Sequence, residues 1–159
     1  MGVLFALCAV LSWLESLVTP LLALPPGVKA GLSNIVVMVA LTVLSPQDAF
    51  VLAVLKSAFV LITRGAMAGL LSICGGLASV LAMTLLLKVL RRPPPSNALL
   101  GVCGAVVHNM SQLVIAAIIF GNVGTLYYAP VLIISGVITG LLTAMLFSLV
   151  QKIDMHNFK

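Results

Sequence analysis

Several ionisable and amide side chains interrupt the apolar stretches of this sequence, and their chemistry suits ligand binding. They are Glu15, Asn34, Lys56, His108, Asn109 and Gln112. A charged side chain at the centre of a bilayer costs about 2.5–3.5 kcal/mol on insertion scales, so such a residue is a candidate for function. Lys56 lies well inside an apolar segment and would sit close to mid-bilayer. Together with imidazole and amide groups, it could hold an anionic or polar-headed small molecule.

The spacing within one segment brings three of these side chains together. His108 and Gln112 are four positions apart, so they share one face of a helix, with Asn109 on its flank. Two further cations, Lys29 and Arg64, fall in connections near the same predicted depth. The pattern predicts a cluster of hydrogen-bonding groups and positive charge at mid-to-outer depth in the membrane.

Each of these residues also has a purely structural interpretation. Lys56 could snorkel to the interface or lose its charge, and Arg64 could anchor an interface. The polar group around His108 could supply hydrogen bonds between helices. An ion pair between Lys56 and Glu15 would be structural rather than catalytic. The residues leave both interpretations open for any single position and favour function for the set.

Known catalytic arrangements do not fit these residues. Zinc hydrolysis needs a cluster of ligands, which His108 and the distant His156 do not supply. A magnesium-diphosphate enzyme needs several carboxylates at one place, whereas Glu15, Asp48 and Asp154 are far apart in the sequence. No GxxxxGK[ST] phosphate-binding loop is present, so the chain cannot energise transport with ATP by itself. We expect a protein that is not an enzyme and has no metal site and no cofactor.

Composition identifies lipid as the main solvent of the chain. Of 159 residues, 62% are hydrophobic and only 7% are charged, whereas about a quarter of the residues in a soluble domain are charged. The net charge of +5 comes from scattered residues, which does not predict a nucleic-acid partner. Three cysteines, Cys8, Cys74 and Cys103, lie in apolar stretches and form no CxxC pair. We interpret them as small packing residues.

The apolar segments predict an all-α bundle of about six transmembrane helices in a single domain over residues 1–159. A spanning helix needs about 20 apolar residues, and helices satisfy their own backbone in lipid. Residues 21–31 are interrupted by proline and glycine, and non-helical backbone at membrane depth usually lines a cavity. The predicted helices cover about 2–20, 32–44 (short for a crossing), 47–62, 66–90, 97–120 and 126–150.

Basic residues set the predicted orientation of this bundle. With six crossings, one side carries five of them and the other side two. The positive-inside rule then makes both termini cytoplasmic in a multi-pass protein of the cell membrane. The two groups are Lys88, Arg91, Arg92, Lys152 and Lys159 against Lys29 and Arg64.

Four stretches, taken together and in this order, resemble one known family. They are PGVKAGLSNIV from Pro26, VLK ending at Lys56, Gly75-Gly76, and GAVVHNMSQ from Gly104 to Gln112. Over nearly the whole chain they resemble the Gx transporter family, also labelled the heptaprenyl diphosphate synthase component I family. That family often has arginine at the position of Lys56, so the positive charge is kept here while the guanidinium geometry is lost.

This family is similar to the substrate-binding S-components of energy-coupling-factor (ECF) transporters, which also have six helices and cytoplasmic termini. The resemblance implies an outward-facing cavity closed by the connection between helices 1 and 2. It also implies a membrane coupling protein and ATPase subunits as partners. On this view Lys29 and Arg64 belong to the gate and outer loop, and Asn34 lies at the gate as well. The substrate-binding residues are then Lys56, His108, Asn109, Gln112, Asn34 and Glu15.

Three hypotheses therefore compete. The first is a membrane subunit that binds and translocates a small anionic, vitamin-like or isoprenoid- or quinone-precursor molecule. The second is a non-catalytic membrane partner of isoprenoid or quinone biosynthesis; catalysis itself would need aspartate-rich magnesium motifs, and the chain has only Asp48 and Asp154. The third is a structural protein whose polar residues only join helices.

Overall fold

The computed structural model of the chain describes residues 1–21, 32–90 and 92–157. Every regular element in this part is helical, which confirms the predicted all-α bundle of six helices. A π-helical turn, Ala40–Leu44, extends the second helix, and a 3₁₀ turn, Val123–Tyr128, precedes the last. The helices are α1 (Gly2–Leu21), α2 (Leu32–Val39), α3 (Pro46–Arg64), α4 (Ala66–Val89), α5 (Asn97–Phe120) and α6 (Ala129–Asn157).

Several of these helices are suited to a lipid environment. In the described residues, four helical stretches are long and apolar enough to cross a membrane: Pro46–Arg64, Ala66–Val89, Asn97–Phe120 and Val123–Gln151. They confirm the membrane-type architecture. The apolar parts of the first two helices, Gly2–Leu17 and Ser33–Leu44, are shorter than a full span, so six crossings and cytoplasmic termini stay predictions.

Local sequence signals explain where α3 begins and ends. The Ser45 hydroxyl accepts a hydrogen bond from the backbone N–H of Asp48 at 3.1 Å, and Pro46 occupies the first helical position. The helix ends at Arg64 because Gly65 follows with φ +88°, a conformation that other residues rarely adopt. This turn places the Arg64 side chain at the very end of α3.

The start of α6 differs from the sequence prediction of residue 126. Here α6 begins at Ala129, because the chain first forms the 3₁₀ turn after α5. The Asn122 side chain begins that turn by accepting the backbone N–H of Gly124 at 2.8 Å. A 3₁₀ turn is hard to distinguish from the first turn of an α-helix in the sequence, because both are short helical segments at a helix start.

The apolar core lies toward one end of the bundle. Its residues come from the first halves of α1, α3 and α5, from the second halves of α2, α4 and α6, and from the π-helical turn after α2. The buried polar residues Glu15, Lys56 and His108 follow the core residues along α1, α3 and α5. The largest fully buried side chains are Phe147, Met38, Leu52, Val36, Val80 and Cys8.

Glycines let α5 and α6 approach backbone to backbone. A Cβ atom added at Gly101 would collide with the carbonyl oxygen of Gly140, and one added at Gly140 would lie 2.5 Å from the Cα of Val102. A Cβ at Gly136 would lie 3.0 Å from the Cα of Val106. This close contact is what small residues at a four-residue spacing allow between membrane helices.

We predict that Gly140→Ala destabilises the protein by about 1–3 kcal/mol, because the added methyl group has no space and forces the two helices apart. The matched control is Gly76→Ala, whose Cβ would meet only the Cβ of Ala53 at an ordinary 3.5 Å. Denaturant unfolding of the two variants in detergent micelles measures the difference. Equal stability of both variants would show that the α5–α6 contact is not tight.

Candidate functional site

A polar cavity lies inside the bundle, and all six α-helices contribute to its lining. Apart from Val60 and Ala105, every described residue that lines it carries a polar side chain. Its volume is about 20 Å³, which is enough for roughly one water molecule. The described lining consists of Ser12, Glu15, Ser33, Asn34, Lys56, Val60, Arg64, Ser72, Ala105, His108, Asn109 and Thr139.

Lys56 is a buried cation in the middle part of α3. It is only 8% exposed, and its Nζ atom donates a hydrogen bond to Oδ1 of Asn34 at 2.8 Å. This bond joins α3 to α2. A lysine ammonium has three N–H donors, and Asn34 is the acceptor that the described residues supply. An anionic group in the cavity would add a second acceptor and an opposite charge.

Glu15 brings a carboxylate to the same cavity from α1. It is 3% exposed, and its Oε2 atom accepts a hydrogen bond from the Ser33 hydroxyl at 3.2 Å. The ionisable residues of the described lining, Glu15, Lys56 and Arg64, sum to a formal charge of +1 with His108 neutral. On formal charge, the described part of the lining favours an anion.

Arg64 closes one side of the cavity by joining α3 to α1. Its Nη2 atom donates a short hydrogen bond to the backbone carbonyl of Ser12, which is buried. A guanidinium has five N–H donors in a fixed plane, so this bond leaves most of its donor capacity for other acceptors. The position at the end of α3 lets the side chain cross to α1 without interrupting either helix.

The polar side chains of α5 point in two directions. Nε2 of Gln112 lies 3.1 Å from Nε2 of His108, which is the pairing that their four-residue spacing predicts. Nδ2 of Asn109 instead donates to the backbone carbonyl of Leu132 on α6 at 3.1 Å. Gly75 on α4 makes room for this arrangement, because a Cβ there would lie 2.9 Å from Cγ of Gln112 and 3.0 Å from Cε1 of His108.

A second, mostly apolar cavity lies beyond Asn109, and we call it the apolar groove. Its volume is about 300 Å³. Asn109 lines both the polar cavity and the apolar groove, so the two spaces share a wall. The groove is lined by Leu71, Asn109, Gln112, Leu113, Ala116, Phe120, Thr125, Tyr128 and Leu132.

The structure brings together most residues that the sequence singled out. Gln112 lines the groove rather than the polar cavity. Lys29, predicted as a gate residue, lies outside the described residues. The residues that gather at the polar cavity are Glu15, Asn34, Lys56, Arg64, His108 and Asn109.

Four hydroxyl residues of the cavity were missed by the sequence reasoning. Serine and threonine are common in membrane helices, where they bond to their own backbone and give little signal. Position relative to a charged residue could have identified one of them, because Ser12 is three residues before Glu15 and shares its helical face. The missed residues are Ser12, Ser33, Ser72 and Thr139.

The described residues of the cavity could attract a ligand by their charge and bind it with hydrogen bonds. Within residues 1–21, 32–90 and 92–157, no group of three or more His, Cys, Asp or Glu side chains could hold a metal ion. The cavity instead has an ammonium, a guanidinium, an imidazole and amide groups, which recognise anions and carbonyl groups. Groups of this kind could bind a small anion.

Comparison with protein families agrees with the motifs quoted above. A family model described as heptaprenyl diphosphate synthase component I matches residues 4–150. The chain belongs to the heptaprenyl diphosphate synthase component I family. The resemblance inferred from the sequence is thereby confirmed, and with the four long apolar helices it indicates a membrane-associated protein. No curated protein and no solved structure matches the chain.

We predict that Asn34 and Lys56 are energetically coupled. Asn34→Leu should lower the free energy of unfolding by about 1.5–3 kcal/mol, because the buried ammonium loses its acceptor. The double variant with Lys56→Met should be more stable than the sum of the two single effects, since neither polar group is then left unpaired. Denaturant unfolding of the two single variants and the double variant gives the coupling directly. Additive effects would mean that this hydrogen bond does not stabilise the bundle.

Proposed function

We propose that this chain is an integral membrane subunit that binds a small anionic or polar-headed molecule in the polar cavity, as ECF S-components bind theirs. The observation that carries the proposal is the convergence of six apolar helices on one cavity that contains Lys56, Arg64 and His108. Vitamin-like molecules and isoprenoid or quinone precursors are the substrate classes that fit a family of this kind. The activity proposed is binding and uptake, not catalysis.

The energetic cost of the cavity supports a role in binding. Each ionisable residue at membrane depth opposes insertion by about 2.5–3.5 kcal/mol. Well-packed hydrophobic side chains often replace buried ion pairs without loss of stability. A bundle that only needed to fold would therefore be better served by apolar residues at Glu15 and Lys56. Their presence is explained by a ligand that needs them.

The cavity must open to admit such a ligand, because its present volume holds only about one water molecule. Three hydrogen bonds join lining residues of different helices, and opening would have to rearrange at least some of them: Lys56 to Asn34, Arg64 to the carbonyl of Ser12, and Ser33 to Glu15. We assign Arg64 to the gate on this basis, and Lys29 by the family resemblance.

The remaining features of the transport hypothesis belong to the same proposal. Both termini would be cytoplasmic, and the cavity would open toward the outside of the cell membrane. A membrane coupling protein and ATPase subunits would supply energy, since the chain has no phosphate-binding loop of its own.

The family description favours a second candidate. It names a component of a prenyl diphosphate synthase, so the chain could be a non-catalytic membrane partner in isoprenoid or quinone biosynthesis. This candidate requires stable association with a soluble prenyl synthase. Co-purification of such an enzyme in fixed proportion, with no small molecule retained by the membrane chain, would favour it over the first.

We predict that Lys56→Ala combined with His108→Ala abolishes ligand retention, because both side chains line the cavity. Mass spectrometry of small molecules that stay with the gently purified protein measures this. The matched control is Lys88→Ala, which removes an exposed lysine near the end of α4 and should retain the molecule that the unmodified protein retains.

Size-exclusion chromatography and circular dichroism establish that the double variant inserts and folds. A folded double variant that retains the same small molecule as the unmodified protein would contradict the proposal. A variant that loses stability while no form of the protein retains a ligand would support the structural interpretation of these residues instead.

A further inference from the structure

The apolar groove is a second space beside the proposed site, and it has no part in the function proposed above. It is far larger than the polar cavity, about 300 Å³ against about 20 Å³. Leu113 and Leu132 are buried in its wall, and the two aromatic side chains Phe120 and Tyr128 also line it. Its lining is largely apolar, whereas that of the cavity is largely polar.

The two spaces meet at one residue. Asn109 lines both, and its side chain is held by the hydrogen bond to the carbonyl of Leu132. When the cavity opens and this bond rearranges, a molecule with its polar group beside Lys56 could extend past Asn109 into apolar surroundings. The change from polar to apolar lining across Asn109 matches a ligand with two chemically different ends.

We infer that the ligand is an anionic amphiphile, with a polar head at Lys56 and a single short apolar chain in the groove. This inference rests on the proposed function, because it assigns the head to the same cavity. The formal charge of +1 on the described cavity lining favours an anionic head such as a carboxylate. The apolar lining of the groove selects the chain.

The size of the groove limits the chain to a small one. A volume of about 300 Å³ is at the lower end of the range of about 300–1,000 Å³ for pockets that hold small ligands. A single short chain fits such a space, whereas the two long chains of a membrane phospholipid do not. The inferred ligand is therefore a free metabolite rather than a bilayer lipid.

Binding of radiolabelled octanoate and acetate to the full chain in lipid nanodiscs tests this inference, with empty nanodiscs subtracted. Both probes carry the same head, and only octanoate carries a chain. We expect octanoate to bind at least about tenfold more tightly than acetate, because its methylene groups enter the groove.

Three variants assign the two ends of the ligand. Ala116→Phe fills the groove and should weaken octanoate binding at least about tenfold while acetate binding is unchanged. The matched control Ile118→Phe, at a residue that is 69% exposed on the same helix, should change neither. Lys56→Ala should abolish binding of both probes.

A fourth variant enlarges the groove instead of filling it, and it keeps the test valid if Ala116→Phe does not fold. Leu113→Ala enlarges the groove and should shift the preferred chain length from octanoate toward decanoate. Unchanged preference in this variant would overturn the inference.

The outcomes separate this inference from the proposed function. Equal binding of octanoate and acetate, both lost in Lys56→Ala, would overturn the amphiphile and leave the polar site standing. Octanoate binding that is indifferent to Lys56→Ala would overturn the proposed head site itself. Absence of binding by either probe to the unmodified protein would overturn the inferred anionic head and with it the amphiphile.

Discussion

Charge that is buried in an apolar bundle must be satisfied by groups that the bundle itself supplies. In this chain an ammonium and a carboxylate lie well inside helices whose outer faces are covered by exposed leucine, isoleucine and valine. Lys56 is held by Asn34, and Glu15 accepts from Ser33, so both charges depend on α2. The short second helix is thus the element on which the buried charges of α1 and α3 converge.

The glycines of α4, α5 and α6 also help to satisfy the buried polar groups, because they let these helices pack closely. Gly75 lets α5 approach α4 closely enough for the His108–Gln112 pair to pack against it. Gly101 and Gly140 hold α5 against α6, where Asn109 bonds to the backbone of Leu132. The close packing keeps the polar cavity small, and it places Asn109 between the polar cavity and the apolar groove.

Sequence reasoning recovered the features that local chemistry determines. The predicted start of the third helix at about residue 47 is one residue from the observed start at Pro46, and the pairing of His108 with Gln112 follows from the helical repeat. The partner of Lys56 could not be obtained in this way, because it depends on how α2 and α3 pack in three dimensions. The sequence left an ion pair with Glu15 open as one alternative, and the structure gives Asn34 as a hydrogen-bond acceptor. The apolar groove could not be predicted from the sequence either, since its residues come from three helices and a 3₁₀ turn.

An experimental structure of the protein purified gently from its membrane tests the central claim most directly. The account predicts a non-protein molecule whose polar atoms lie within about 2.7–3.2 Å of Nζ of Lys56, with the Lys56–Asn34 hydrogen bond rearranged to admit it. A cavity that holds nothing larger than a water molecule, with Lys56 still bonded to Asn34 and no other occupant of the bundle, would contradict it.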